Sequence, residues 1–156
     1  MATPVKPVEL TEAQVEKIAN AQIRFEVLIN EAGQYFELDD KKLEEVCKNQ
    51  VKQQHLYEVA LQECKSIIDV LELHRDYVRS LLWQKYNENH KRTLTAKDID
   101  IYISSEKEWL DIMEIILNIN ETRKKLEGIV EALKQLAWSL TNIVKLRVHQ
   151  LEHATL

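Results

Sequence analysis

Residues 105–151, SEKEWLDIMEIILNINETRKKLEGIVEALKQLAWSLTNIVKLRVHQL, decide the fold. Read at alternating spacings of three and four, they give Trp109, Ile112, Ile116, Ile119, Arg123, Leu126, Val130, Leu133, Ala137, Leu140, Val144, Arg147 and Leu151. This is a heptad seam interrupted only by two arginines. A flanking line, Ile115, Ile129, Leu136 and Ile143, is broken only at Thr122. A two-stranded coil needs only the narrow seam, so this broader stripe calls for several neighbours. One helix over 106–150 would be about 65–70 Å long, too long for a compact domain of this size. The expectation is that it either breaks near positions 118–120 or projects to find its neighbours in other copies of the chain.

Upstream, Thr11 and Gln14 have capping-box spacing, and Val15, Ile18, Ile23, Val27 and Leu28 predict a first helix over 11–31. Gly33 ends it, and Leu38-Asp39-Asp40 restarts the chain. A second long helix, with a kink expected near Asn49-Gln50, carries the seam Tyr57, Ala60, Cys64, Ile67, Leu71, His74, Val78 and Leu81. Two seams in one chain predict an antiparallel helical hairpin. Positions 87–93 are polar and read as a loop. Thr95 and Asp98 then cap a short piece through Ile99, Ile101 and Ile103, and Ser104-Ser105 are placed to cap the last helix.

Composition agrees with helices throughout. The chain has 156 residues, of which 45% are hydrophobic, and only two glycines and two prolines, too few for the turns of a β-rich fold. The expected fold is all-α, with long helices forming a helical hairpin and a coiled-coil-like oligomeric assembly. Its expected division is a flexible N-terminus (1–10), N-terminal helices with a basic-aromatic segment (11–90), and a short linker piece with a long C-terminal oligomerisation helix (91–156). Cys47 and Cys64 have no metal-site or redox-motif spacing and read as small buried or half-buried thiols. No apolar run reaches the length of a membrane span and no secretion signal is apparent, so a cytoplasmic location is expected.

Catalytic chemistry is hard to place. His149-Gln-Leu-Glu-His153 has the letters of one zinc-peptidase motif, but no third ligand follows, and a solvated helix end is the simpler reading. No Glu-x-x-His occurs, which removes a ferritin-like di-metal bundle. Gly33 and Gly128 are too far apart to cradle phosphates. No enzyme activity, cofactor or metal is expected.

One cluster invites a ligand. The net charge is −5, which argues against binding nucleic acid by bulk charge, yet positions 75–92 hold Arg75, Arg79, Lys85, Lys91 and Arg92 against only Asp76 and Glu88. With Tyr77, Trp83 and Tyr86 interleaved, the segment suits single-stranded nucleic acid, because cations follow phosphates while flat rings stack on unpaired bases. The same spacing also suits core aromatics beneath an ordinary solvated cationic face. Arg123 and Arg147 carry a similar pair of readings. Either they set the register of an assembly by pairing with residues such as Glu127 or Glu131, or they line a ring, or their stems simply lie along the seam.

The order of these pieces resembles a known family. Leu94-x-x-x-Asp98-Ile-Asp-Ile-Tyr102-Ile-x-Ser, then Glu108-Trp-Leu110, Leu126-Glu-x-Ile129-Val-x-x-Leu133-Lys, and Trp138-x-Leu140-x-Asn142-x-Val144-x-x-Arg147 are similar to the C-terminal half of the UvsY family of tailed-phage recombination mediators. Arg79-x-x-x-Trp83-x-x-Tyr86 resembles that family's basic-aromatic segment, and the resemblance covers about residues 50–150. It implies a helical protein that forms a hexameric or heptameric ring and binds single-stranded DNA. Such a protein would help load a RecA-like recombinase in place of the single-strand-binding protein, in the cytoplasm of an infected bacterium. On this view Arg75, Arg79, Trp83, Lys85, Tyr86, Lys91 and Arg92 meet DNA, with Arg79 and Tyr86 matching the family's DNA-contacting segment and Arg147 an arginine near its C-terminus. The seam Leu126, Val130, Leu133, Ala137, Leu140, Val144 and Arg147 would join the subunits. The alternative is a structural or adaptor coiled coil with no nucleic-acid role.

Overall fold

The computed structural model describes residues 9–39, 41–89 and 93–153. They form four α-helices and one 3-10 turn, and no strand occurs among them: α1 (Glu12–Glu31), the turn (Ala32–Tyr35), α2 (Leu43–Asn89), α3 (Ala96–Ser105) and α4 (Lys107–His153). The all-α expectation is met.

Local chemistry sets the helix ends. Gln14 N donates to Thr11 Oγ1 while Thr11 N donates to Gln14 Oε1, so the predicted capping box opens α1. A second box opens α3, where Thr95 accepts from Asp98 N and Asp98 accepts from Thr95 N. The serines before α4 act differently from the sequence reading. Ser104 Oγ and Ser105 Oγ donate back to Ile101 O and Tyr102 O of α3, and extended Glu106 is the residue between the two helices. Helix α2 begins at Leu43, later than the restart expected at 38–40; Asp40 itself lies outside the described residues.

No break interrupts α4 at 118–120. Asn120 Nδ2 donates to Ile116 O and Thr122 Oγ1 to Asn118 O, so these polar side chains satisfy carbonyls of their own helix and the helix continues. Helix α2 likewise runs unbroken through Asn49 and Gln50.

The described residues pack as two compact units that cut across chain order. One takes the chain up to Gln22 with Cys64–Thr122; the other takes Ile23–Glu63 with the chain from Arg123 onward. Helices α1, α2 and α4 each contribute to both.

In the first unit α2 and α4 are antiparallel, as the pairs Cys64 with Ile119 and Lys85 with Glu106 show. Cys64, Leu71, Ile112, Ile116 and Ile119 are buried there. A cluster of Val78, Leu82, Ile99 and Ile103 lies under Tyr77, Trp83, Tyr86, Leu94 and Trp109. Both cysteines are free thiols, Cys64 buried and Cys47 half-buried, as the sequence suggested.

The second unit buries Phe25, Tyr57, Leu126, Val130, Leu133 and Leu140. Tyr57 meets Tyr35 edge to face at 6.1 Å and donates its hydroxyl to Leu28 O at 2.5 Å, satisfying one of the last four carbonyls of α1. Gln50 Nε2 donates to Leu133 O at 3.0 Å.

The seams drift from a strict alternation of three and four. A straight α-helix repeats every 3.6 residues, so a 3.5-residue line rotates slowly out of the core. On α2 the buried line ends on Leu82, leaving Leu81 47% exposed. On α4 Thr122 is buried where Arg123 was expected, and Arg123 turns aside to pair with Glu127 at 2.8 Å. On α1 the buried positions are Ala21 and Phe25, while Val15, Ile23 and Val27 stay exposed, because a single packing stripe is narrower than the apolar set in the sequence.

Candidate nucleic-acid interface

The basic-aromatic segment occupies the last turns of α2, in the first unit, and its polar groups are engaged. Arg75 lies 3.0 Å from Asp76 and 3.7 Å from Glu72. Arg79 reaches Asp100 of α3 at 2.9 Å, and Lys85 reaches Glu106 at 2.8 Å. Tyr86 donates its hydroxyl to the same Glu106 oxygen and stacks on Tyr102, with ring centroids 5.3 Å apart. Lys85 Nζ also sits 5.4 Å from the Tyr86 ring centroid. Trp83 packs half-buried on the Val78–Leu82–Ile99–Ile103 cluster. Lys91 and Arg92 lie outside the described residues.

Titration follows this geometry. The hydrogen bond from Lys85, then that from Tyr86, holds the Glu106 carboxyl below its ordinary value. The bond to Glu106 raises Lys85, and the same bond together with burial raises Tyr86. Glu106 is therefore a charged hub shared by its two neighbours. Exposed ion pairs of this kind are individually weak, so a phosphate could compete for Arg79 or Lys85. It would meet a locally neutralised surface.

Asp100 and Glu106, the partners of Arg79 and Lys85, stand outside the cluster as read from the sequence. Each lies 21 residues beyond its cation. Neither pair has a local sequence signal, because it is α3 that brings Asp100 and Glu106 back beside α2.

The proposed oligomerisation seam divides into two parts. Leu126, Val130, Leu133 and Leu140 are buried by the chain itself and Ala137 is half-buried, so these residues form intramolecular core. Val144 and Arg147 are exposed. The own-chain cover ends after Leu140, since Ile143, Val144, Leu146 and Val148 are 38–61% exposed.

Among the described residues no three His, Cys, Asp or Glu side chains converge as a metal site, and no helix is long and apolar enough to cross a membrane. The first unit also holds an open, mostly apolar groove of about 400 Å³ lined by Leu10, Val15, Ile18, Tyr77, Leu81 and Ile115 among others, with Glu9, Glu108 and Asp111 also on its wall. His74 in its wall accepts a hydrogen bond from Leu10 N at 3.2 Å. Compared with models of protein families, with curated proteins and with solved structures, the chain has no match.

Proposed function

We propose that the chain is a non-catalytic recombination mediator that assembles with copies of itself, binds single-stranded DNA and helps load a RecA-like recombinase in place of the single-strand-binding protein. The ordered resemblance across residues 50–150 motivates the reading. The observation that carries it is the uncovered end of α4: four apolar side chains at 143–148 stand in solvent beside Lys145 and Arg147. Several large apolar side chains exposed within six residues mark a candidate interaction site, and a ring of subunits turns many weak strand contacts into one strong one.

Anisotropy of a labelled single-stranded oligonucleotide, titrated at several salt concentrations with duplex as control, tests the reading. Preference for the single strand with steep salt dependence supports it. Absence of binding at low salt overturns it. The second reading, a structural or adaptor coiled coil without nucleic acid, is favoured by the carboxylates that engage Arg75, Arg79 and Lys85, and would then stand.

A further inference from the structure

Tryptophan is the largest apolar side chain, and leaving one in water gives up much of the stabilisation that burial provides. Trp138 of α4 is 71% exposed, more than any other large hydrophobic side chain among the described residues. Trp83 and Trp109 pack against the cluster of the first unit.

Helical spacing defines the surroundings of Trp138. Lys134 lies four residues before it and Lys145 seven after it, so all three share one face, with Thr141 between. Lys134 and Lys145 are exposed, and neither has a carboxylate within ion-pair distance among the described residues. The acidic side chains on this face are Glu127, which Arg123 engages, and Glu131. Val148, seven residues beyond Thr141, is a second exposed apolar side chain on this face, whereas Ile143, Val144 and Leu146 fall on other sides of the helix; the positions one turn from Trp138, namely Lys134, Gln135, Thr141 and Asn142, are all polar. Trp138 is thus no continuation of an apolar seam.

A cation, an open aromatic ring and a second cation follow one another over about 16 Å of helix at 1.5 Å per residue. That sequence of groups fits a polymer with phosphates on one edge and unpaired flat bases on the other. We propose that Lys134, Trp138 and Lys145 form the contact surface for single-stranded nucleic acid, with a base stacked on the Trp138 ring and phosphates at the two lysines. This rests on the mediator reading and moves its strand contact from α2 to α4.

The test uses the full chain and a labelled oligothymidylate, with solution mass and circular dichroism recorded for every variant. Binding should quench the fluorescence of a Trp83→Phe/Trp109→Phe variant, in which Trp138 alone reports. Trp138→Ala should weaken binding at least about fivefold with mass and helicity unchanged. Lys134→Glu/Lys145→Glu should weaken it at least about tenfold and flatten the log–log salt slope by about 1.4, at roughly 0.7 per lost phosphate contact. Lys17→Glu/Lys52→Glu, an equal charge change elsewhere, should stay within about twofold of the parent. Parent-like binding by the Trp138 and the Lys134/Lys145 variants, without quenching, overturns the assignment while the mediator reading stands. A lower mass for Trp138→Ala also overturns it, by placing Trp138 between copies. No binding of the oligothymidylate by the parent protein at low salt overturns the mediator reading and this surface with it.

Discussion

Lys85 and Tyr86, adjacent on α2, converge on one oxygen of Glu106, the residue between α3 and α4. Successive residues on a helix point about 100° apart, so a shared partner requires the chain to return across the end of α2. The short α3, held by the Thr95–Asp98 box, makes that return. Glu106 thereby ties the last turns of α2 to the start of α4.

Glu106→Gln should therefore lower the melting temperature at neutral pH and change its pH dependence. The Glu106 carboxyl is lowered from 4.5 in the folded chain, so its contribution is complete above that value and is lost as pH falls through the lowered one. Lys85 is raised from 10.5, so its contribution is complete below that value and is lost as pH rises through the raised one. Thermal melts between about pH 3 and 7 should show a smaller acid-side fall in the variant than in the parent. Superimposable curves would show that the pair contributes nothing.

Tyr57 gives an independent check on the second unit. Burial first, then the nearby Tyr35 and Glu31, push its hydroxyl up to about 12. In an ultraviolet titration Tyr57 should give a late ionisation step near pH 12, and its stabilising contribution should be lost as pH rises from 10 toward 12. Tyr57→Phe should remove the late step. It should also cost about 1–2 kcal/mol in denaturant unfolding, since Leu28 O loses its donor.

The two parts of the α4 line should respond differently to substitution. Leu133 is fully buried, so Leu133→Ala should cost about 2–5 kcal/mol through lost burial and the cavity left behind. Val144 is 40% exposed, so Val144→Asp should leave unfolding within about 0.5 kcal/mol of the parent while lowering the solution mass of any assembly built on that surface. Denaturant unfolding and light scattering on the same samples separate the two effects. A Leu133→Ala chain that only dissociates would place the seam between copies.

Elements with local causes were legible in the sequence. The Thr11–Gln14 and Thr95–Asp98 boxes, the all-α class, the Tyr57–Cys64–Leu71 line and the free thiols can be read from residues a few positions apart. Distant complementarity was harder to see. That Leu133 is covered from within the chain depends on which helix lies opposite, and a seam looks the same whether its partner is its own chain or a copy. The cations of α2 looked available because Asp100 and Glu106 enter only through the turn made by α3. Trp138 was read as a position in a family pattern, and its exposure depends on which side of α4 the rest of the second unit covers.

The crossing of chain order also bears on synthesis. Gln50 meets Leu133 across 83 residues, whereas Cys64 meets Ile119 across 55. At about 5–20 residues per second, the apolar side of Leu43–Glu63 waits roughly 4–17 s for its partner segment to be made. The first unit can close while that side still lacks its α4 cover. The interval in which a nascent chain is open to proteases, to chaperones or to pairing with a neighbour on the same message thus falls on the second unit, which also carries Trp138.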